Sequence, residues 1–575
     1  MVPFRKPTPK ISILTRSTFV AFVLMCACTG AVGTGDGGGS DESGYGGSGT
    51  GPTGGKATNS GGNSVPTDVG TMPLIRLTRS EYTETVRWLF GDPTLSPATA
   101  FAVEAGSESG FAKAQVTVGV KDARDFREAA EGIAAKASQP VAKFTGCDST
   151  TPTDACLSTF VRKLGRRVYR RPLTAAEVTE QLTLFNGARM AGNDVAGSVA
   201  VIVESMLQSP FFLFKWEMDE AKHKLVDGDI ALNKYQLASR LAFLLSGRAP
   251  DDMLIADVDA GRLASDEDFV RVTQRLLAAK ETVTGVYTSF HRQWLELTRL
   301  SELRKDTTKY AYWDTAMTTD LQTEFDTFVT EVLLNGDGKL KTLLTAPYTY
   351  ANERVAKIYG ASGITGSNFQ KVPLDPAQRK GVLMQAAFMA ATGDEANSLA
   401  PRRGTRILRR ILCGEIPPPP MVVPDLPMPK AGQTNRQRFE DHGKLSCARG
   451  CHQLIDPPGF AFENFGGAGE YRTKDNGLPV DSSGRFTTPK GVDVSFDNGA
   501  QMVEKLAGLP EVEQCVAAHW LRYALGRAEV ETEAGELTRI ADKFSKSGGS
   551  LSTLLQAITS ERSFRFRKPT AGEVL

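Results

Sequence analysis

The run Cys447-Ala448-Arg449-Gly450-Cys451-His452 places two thiols and an imidazole side by side in a 575-residue chain. Two thiols that add to the vinyl groups of a porphyrin, followed at once by a histidine for the iron, are the parts of a c-type haem attachment site. The usual spacing leaves two residues between the cysteines, and here there are three. Either Gly450 absorbs the extra residue or attachment has been lost. His442, five residues before Cys447, opens a second possibility, a four-ligand zinc-type site of His442, Cys447, Cys451 and His452. A Cys447–Cys451 disulfide with solvated histidines is the third. If an iron is held, His442 is one candidate for a further ligand. Met421 and Met428 before the motif and Met502 after it are others, the downstream position being the commoner arrangement.

Asp456-Pro457-Pro458-Gly459 follows directly. Proline lacks the N–H a helix interior needs, so the pair predicts a turn that stops any helix carrying His452. Phe460, Phe462 and Phe465 are expected to wall an apolar pocket, as a haem requires, the bland reading being a small hydrophobic cluster beside the turn.

The elements that must position these residues begin with an export signal. Arg5, Lys6, Lys10 and Arg16 make a positive stretch ahead of a short apolar run, Phe19 to Ala27, too short to span a bilayer. It ends in Leu24-Met25-Cys26-Ala27-Cys28, which resembles a bacterial lipoprotein cleavage site with Cys28 as the lipidated residue. Cys26 is the alternative, and a plain secretory signal the bland reading. Thr29 rather than Asp after Cys28 favours the outer membrane by resemblance to known sorting rules. The expected location is therefore the cell envelope, with a membrane contact through the lipid. Residues 29–72 are Gly-, Ser- and Thr-rich and predict a disordered tether.

Export places the six remaining cysteines in an oxidising compartment. Cys147 and Cys156 flank a short polar stretch and predict a disulfide-closed loop; Cys413 and Cys515, left over, predict a staple across the C-terminal region. Apolar residues recur at helical spacing almost throughout, as in Tyr82, Val86 and Leu89 or Leu237, Leu241 and Leu244, while strand signals are scarce. Thr78 or Ser80 is placed to cap the first helix, and Thr174 with Glu177 reads as a capping box. The chain divides into a signal peptide at 1–28, the tether at 29–72, and helical domains at 73–146, 147–224 and 225–360. A region at 361–499 holds a polyproline spacer near 416–424, the cysteine motif and an irregular Gly-rich stretch. A helical domain at 500–575 closes the chain.

Net charge is +1 with signs interleaved, so nucleic acid is not an expected partner. The chain has no GxSxG elbow, HExxH pair or phosphate-cradling glycine loop. Asn335-Gly336-Asp337-Gly338 lacks the spaced acids of a calcium loop and reads as a turn. His223, His291 and His519 are isolated and read as satisfied or exposed histidines. No catalytic constellation emerges.

Several runs together carry a resemblance: Arg76-Leu77-Thr78-Arg79-Ser80-Glu81-Tyr82, Arg167-Val168-Tyr169-Arg170-Arg171-Pro172-Leu173-Thr174, Leu207-Gln208-Ser209-Pro210-Phe211-Phe212-Leu213, Leu237-Ala238-Ser239-Arg240-Leu241, Pro250-Asp251-Asp252, Arg403-Gly404 with Leu412-Cys413, and Cys451-His452 through Phe465. The chain resembles an exported planctomycete and myxobacterial family strung from domains of unknown function (the 1592 type with its 1587, 1595, 1588 and 1585 segments), often described as cytochrome-like. The resemblance implies a mainly α, multi-domain helical body with an irregular cytochrome c-like C-terminal region. It brings no established activity.

The leading expectation is an electron-transfer or redox lipoprotein. Haem c would be held by Cys447, Cys451 and His452, with an unidentified redox or surface protein as partner. The alternative is a non-catalytic, disulfide-stapled surface protein that docks a partner or a polysaccharide.

Overall fold

The computed structural model describes residues 69–570, less 73, 107–108, 114–116, 219–224, 418–425, 427 and 429, together with residue 573. The signal peptide, Cys28, nearly all of the tether, His223, Met421 and most of the polyproline spacer lie outside the described residues.

Local rules account for where the helices begin and end. Helix α1 (Arg79–Phe90) is capped by Thr78, whose Oγ1 accepts from the Glu81 N–H at 3.2 Å while the Glu81 carboxylate accepts from the Thr78 N–H at 3.0 Å. Gly91, at φ +66°, takes the left-handed conformation that ends it. Its buried residues Tyr82, Val86 and Leu89 are the ones the spacing predicts. The same capping device at Thr174 and Glu177 opens α4 (Ala175–Met190), which follows α2 (Val120–Ala137) and α3 (Asp154–Val168). With α5 (Val195–Gln208) these helices enclose a first core that includes Tyr82, Phe126, Phe160, Ile202 and Phe212.

A second, larger core takes residues from each of the segments 225–360, 361–499 and 500–575. Phe290 and Trp294 on α6 (Lys280–Trp294) show how they meet. The Phe290 ring stacks on Trp520 at 3.7 Å between centroids, and the Trp294 indole N–H donates to the Arg410 carbonyl at 2.6 Å. Trp294 is fully buried, and Trp216 packs, partly buried, against the first core.

Strands are short. Ile75–Arg76 pairs with Phe214–Lys215, and the hairpin Leu225–Val226/Asp229–Ala231 is extended by Phe566–Arg567 from the far end of the chain. Beyond residue 473, the stretch expected to be irregular instead forms two small antiparallel hairpins, one of them pairing Gly484–Thr487 with Asp493–Phe496. Among the described residues, no helix is long and apolar enough to cross a membrane. The fold is mainly α, and the described residues form one compact unit.

Candidate functional site

Three helices build the ground around the cysteine motif: α7 (Ala400–Arg406), α8 (Asn435–Gly443) and α9 (Ser446–Phe460). The expected turn at Asp456-Pro457-Pro458-Gly459 does not form; α9 runs straight through both prolines. Each interior proline deprives one carbonyl four residues back of its donor, here those of Gln453 and Leu454. Both residues are exposed, so water is available to those carbonyls. The opposite face of the helix supplies what offsets the loss.

That face crosses α7 with almost no gap. A Cβ on Gly404 would fall 1.6 Å from the Ile455 carbonyl oxygen, and one on Gly459 would fall 2.0 Å from that of Ala400. Glycine at both positions is what lets the two backbones meet. Arg403, fully buried beside this crossing, donates to the carbonyls of Phe462, Phe465 and Gly466 at 2.7–2.8 Å and so holds the chain where it leaves α9. The Arg403-Gly404 pair therefore acts as a clamp on the motif helix.

On α9, His452 Nδ1 lies 3.0 Å from both carboxylate oxygens of Asp456, one turn on. An N–H on Nδ1 donating to Asp456 fixes the imidazole tautomer and leaves the lone pair on Nε2. Nε2 has no hydrogen-bond partner among the described residues. The His442 ring stands edge-on to that of His452, with centroids 4.9 Å apart and planes at 74°. His442 is only 4 % exposed and its Nδ1 is buried without a partner. Burial, with the neighbouring His452 adding to it, holds this imidazole below the ordinary histidine range. Burial also pushes the Asp456 carboxyl up, against the opposing hydrogen bond from His452.

Cys451 is a free, half-buried thiol whose Sγ is 3.9 Å from the Pro417 carbonyl. Cys447 belongs to the first turn of α9, and its side chain lies outside the described ones. The phenylalanines expected to wall a pocket belong to cores instead. Phe462 and Phe465 are buried in the large core, and Phe460 joins Ala400 and Phe439 in a small cluster under α8 and α9. With the helix running past the prolines, the backbone after Phe460 turns inward rather than around His452. Met502 is a fully buried core residue on the helix Gly499–Leu506, and Met428 is 80 % exposed. Asp456 was missed from sequence because the prolines beside it read as a turn. The signal that would have found it is the four-residue offset from His452, which faces two side chains only on a helix.

Both expected disulfides form. Cys147–Cys156 has a Cα–Cα distance of 5.8 Å, and Cys413–Cys515 one of 5.4 Å. Among the described residues, the one set of three His, Cys, Asp or Glu side chains with ligand atoms within 4.8 Å of one another is Cys413, Cys515 and His519. His442, Cys451 and His452 do not converge in that way, and the Cys447 side chain lies outside the described ones. His519 is buried with its Nε2 3.6 Å from the Cys413 Sγ, and burial, helped by the Arg522 and Arg410 charges, lowers it to about 3 against backbone hydrogen bonds to Arg409 and Arg410. His291 is the satisfied kind, its Nδ1 2.7 Å from the Tyr287 carbonyl. The Asn335–Gly338 segment is the expected turn, with the Asp337 carboxylate accepting from the Lys339 N–H at 3.1 Å.

No residue of α8 or α9 lines a cleft of about 870 Å³ that opens between α1, α6 and the segment around Arg248.

Five family models, each described as a protein of unknown function, match in order along the chain. They are DUF1587 at residues 76–139, DUF1595 at 156–217, DUF1592 at 232–361, DUF1588 at 379–475 and DUF1585 at 493–564. The DUF1588 model, which spans the three helices of the candidate site, carries the short name PSCyt3. No curated protein and no solved structure matches the chain. The chain thus belongs to the multi-domain family of unknown function that strings these five segments together.

Proposed function

We propose that this protein is an exported redox protein of the cell envelope, anchored through lipid on Cys28, whose helix α9 holds a c-type haem through Cys451, Cys447 and His452. The observation that carries the reading is the brace on His452. A metal-ligating histidine characteristically gives its other ring N–H to a carboxylate, a backbone carbonyl or water, and Asp456 stands at 3.0 Å to accept it. The donor set fits: a free thiol, an imidazole with its second nitrogen unengaged, and a clamped helix to carry both.

A haem bound there would supply one-electron chemistry. The chain's own part is to fix His452 in one tautomer through Asp456, to keep the buried His442 neutral beside it, and to hold α9 rigid through Arg403 and Gly404. Cys451 keeps the one-residue offset from His452 found with the usual spacing, so it is the leading attachment point. On a continuous helix, positions 447 and 452 stand about 140° apart around the axis, against about 40° with the usual spacing. Attachment through Cys447 as well requires the first turn of α9 to unwind.

The test is production of the full chain in cells equipped for cytochrome c maturation. The expected result is a Soret band, a covalent haem stain and one added haem by intact mass, with both signals lost in Cys451→Ser. Asp456→Asn should keep the covalent haem but weaken the iron–histidine bond about 10- to 100-fold. A matured chain weighing no more than its amino acids and lipid overturns the proposal.

A second reading, docking of a surface partner or polysaccharide, is favoured by the cleft of about 870 Å³. Arg248 lines it, and its Nη1 is buried without a hydrogen-bond partner. An anionic group on the docked molecule would satisfy that donor.

A further inference from the structure

The Cys413–Cys515 disulfide has a neighbour that a structural staple does not need. His519 Nε2 lies 3.6 Å from the Cys413 Sγ, and both sulfurs and this nitrogen fall within 4.8 Å of one another. The three residues come from two separate elements. Cys413 follows the π-helical turn Ile407–Ile411, and Cys515 and His519 lie one turn apart on the helix Pro510–Leu525. Cys515 and His519 are 3 % and 2 % exposed, whereas Cys413 is half-buried, so one sulfur is within reach of a small reductant. Burying an imidazole with an unsatisfied nitrogen costs free energy, and the Nδ1 of His519 is so buried.

We propose that reduction of Cys413–Cys515 opens a binding site for one Cu⁺ ion, held by the two cysteine sulfurs and His519 Nε2. Reduction is thiol–disulfide exchange with a dithiol of the cell envelope. One thiolate of the dithiol attacks a sulfur of the bridge, and its second thiol resolves the mixed disulfide. Two electrons and two protons pass to Cys413 and Cys515 as the dithiol closes to its own disulfide. The metal then displaces the thiol protons as it binds.

Three features select Cu⁺ over Zn²⁺. Two thiolates and one imidazole make a soft, three-donor set, and soft thiolate ligands favour Cu⁺. Zinc takes a fourth ligand, and the Arg410 carbonyl, 3.6 Å from the Cys515 Sγ, already accepts from the Trp294 indole at 2.6 Å. Two thiolates with one Cu⁺ leave a net negative charge, and the Arg410 and Arg522 guanidiniums act electrostatically on the same pocket. The site is independent of the haem reading, because it shares no residue with α9.

The experiment uses the full chain in a Cys447→Ser/Cys451→Ser background, which removes the motif thiols. After anaerobic treatment with a dithiol, Cu⁺ is titrated against a chromophoric Cu⁺ chelator, and Zn²⁺ is titrated separately. The expected result is one Cu⁺ per chain more than in a Cys413→Ser/Cys515→Ser control, at least tenfold weaker in His519→Ala, and no corresponding uptake by the oxidised protein. The Cys147–Cys156 pair is the same in both variants, so its contribution cancels. His519→Gln, which keeps more of the side-chain volume, serves if the alanine variant does not fold. Equal Cu⁺ affinity with and without His519 overturns the proposal. So does a preference for Zn²⁺, or loss of the near-UV circular dichroism when the bridge is reduced.

Discussion

Two places in this molecule set a histidine close to cysteine sulfur, and they are built in opposite ways. At α9 the donors are neighbours in sequence. Cys451 and His452 sit on a half-buried helix face, and the imidazole is braced by a carboxylate one turn away. At the Cys413–Cys515 bridge the donors are about a hundred residues apart in sequence and lie in or beside the large core, with the imidazole left unbraced. The first arrangement is exposed enough to meet a cofactor, and its orienting partner is already paired. The second is mostly buried, with only Cys413 partly exposed, and its sulfurs are spent on each other. Adjacency in sequence makes a site cheap to form but dependent on its helix being held in place. Distance in sequence makes a site that reports on the whole fold.

The largest effect that sharpens this contrast lies in the bridges themselves. Replacing Cys413 and Cys515 together by alanine releases a loop with a sequence separation of 102, and should lower unfolding stability by about 5 kcal/mol on the chain-entropy account. The same change at Cys147 and Cys156, with a separation of 9, should cost about 3 kcal/mol. Denaturant unfolding of both pairs checks the difference; equal costs would mean that the long bridge does not constrain the unfolded chain.

Next comes the clamp on the motif helix. Gly404→Ala forces a methyl group into the Ile455 carbonyl, and about 3 kcal/mol of stability should be lost. Haem attachment should fail with it if α9 has to be held to present Cys451 and His452. A stable Gly404→Ala protein with unaltered haem content would show that the helix needs no such support.

The smallest effect is a pH dependence confined to the α8–α9 contact. The folded-state pKa of His442 is depressed, chiefly by burial. Between that value and the unfolded one, the unfolded chain binds the extra proton, so stability is full above the ordinary histidine pKa and declines as pH falls below it. His442→Phe should flatten this part of the stability–pH curve while leaving the neutral-pH value nearly unchanged, as thermal unfolding at a series of pH values would record.

Much of the helical framework was legible in sequence because caps act over three or four residues. Thr78 with Glu81 and Thr174 with Glu177 sit where the reading placed them. The cysteine pairs were equally legible, since a polar loop between Cys147 and Cys156 leaves few other partners. The prolines misled because their local effect was read without the α7 crossing, which only distant glycines at 404 and 459 make possible. Asp456 was hidden by the same error, as was the inward course of Phe462 and Phe465.

Sequence by itself determined the types of chemistry this protein can hold: thiols, an adjacent imidazole, paired cysteines and a helical body to carry them. Tertiary structure alone decided which of those groups meet. A carboxylate faces His452 only if two prolines are tolerated inside a helix, and His519 faces a disulfide only if residues about a hundred positions apart share a core. The physical reason is range. Capping and spacing act within one turn of chain, whereas close backbone crossings and buried polar contacts depend on what the rest of the molecule packs against them.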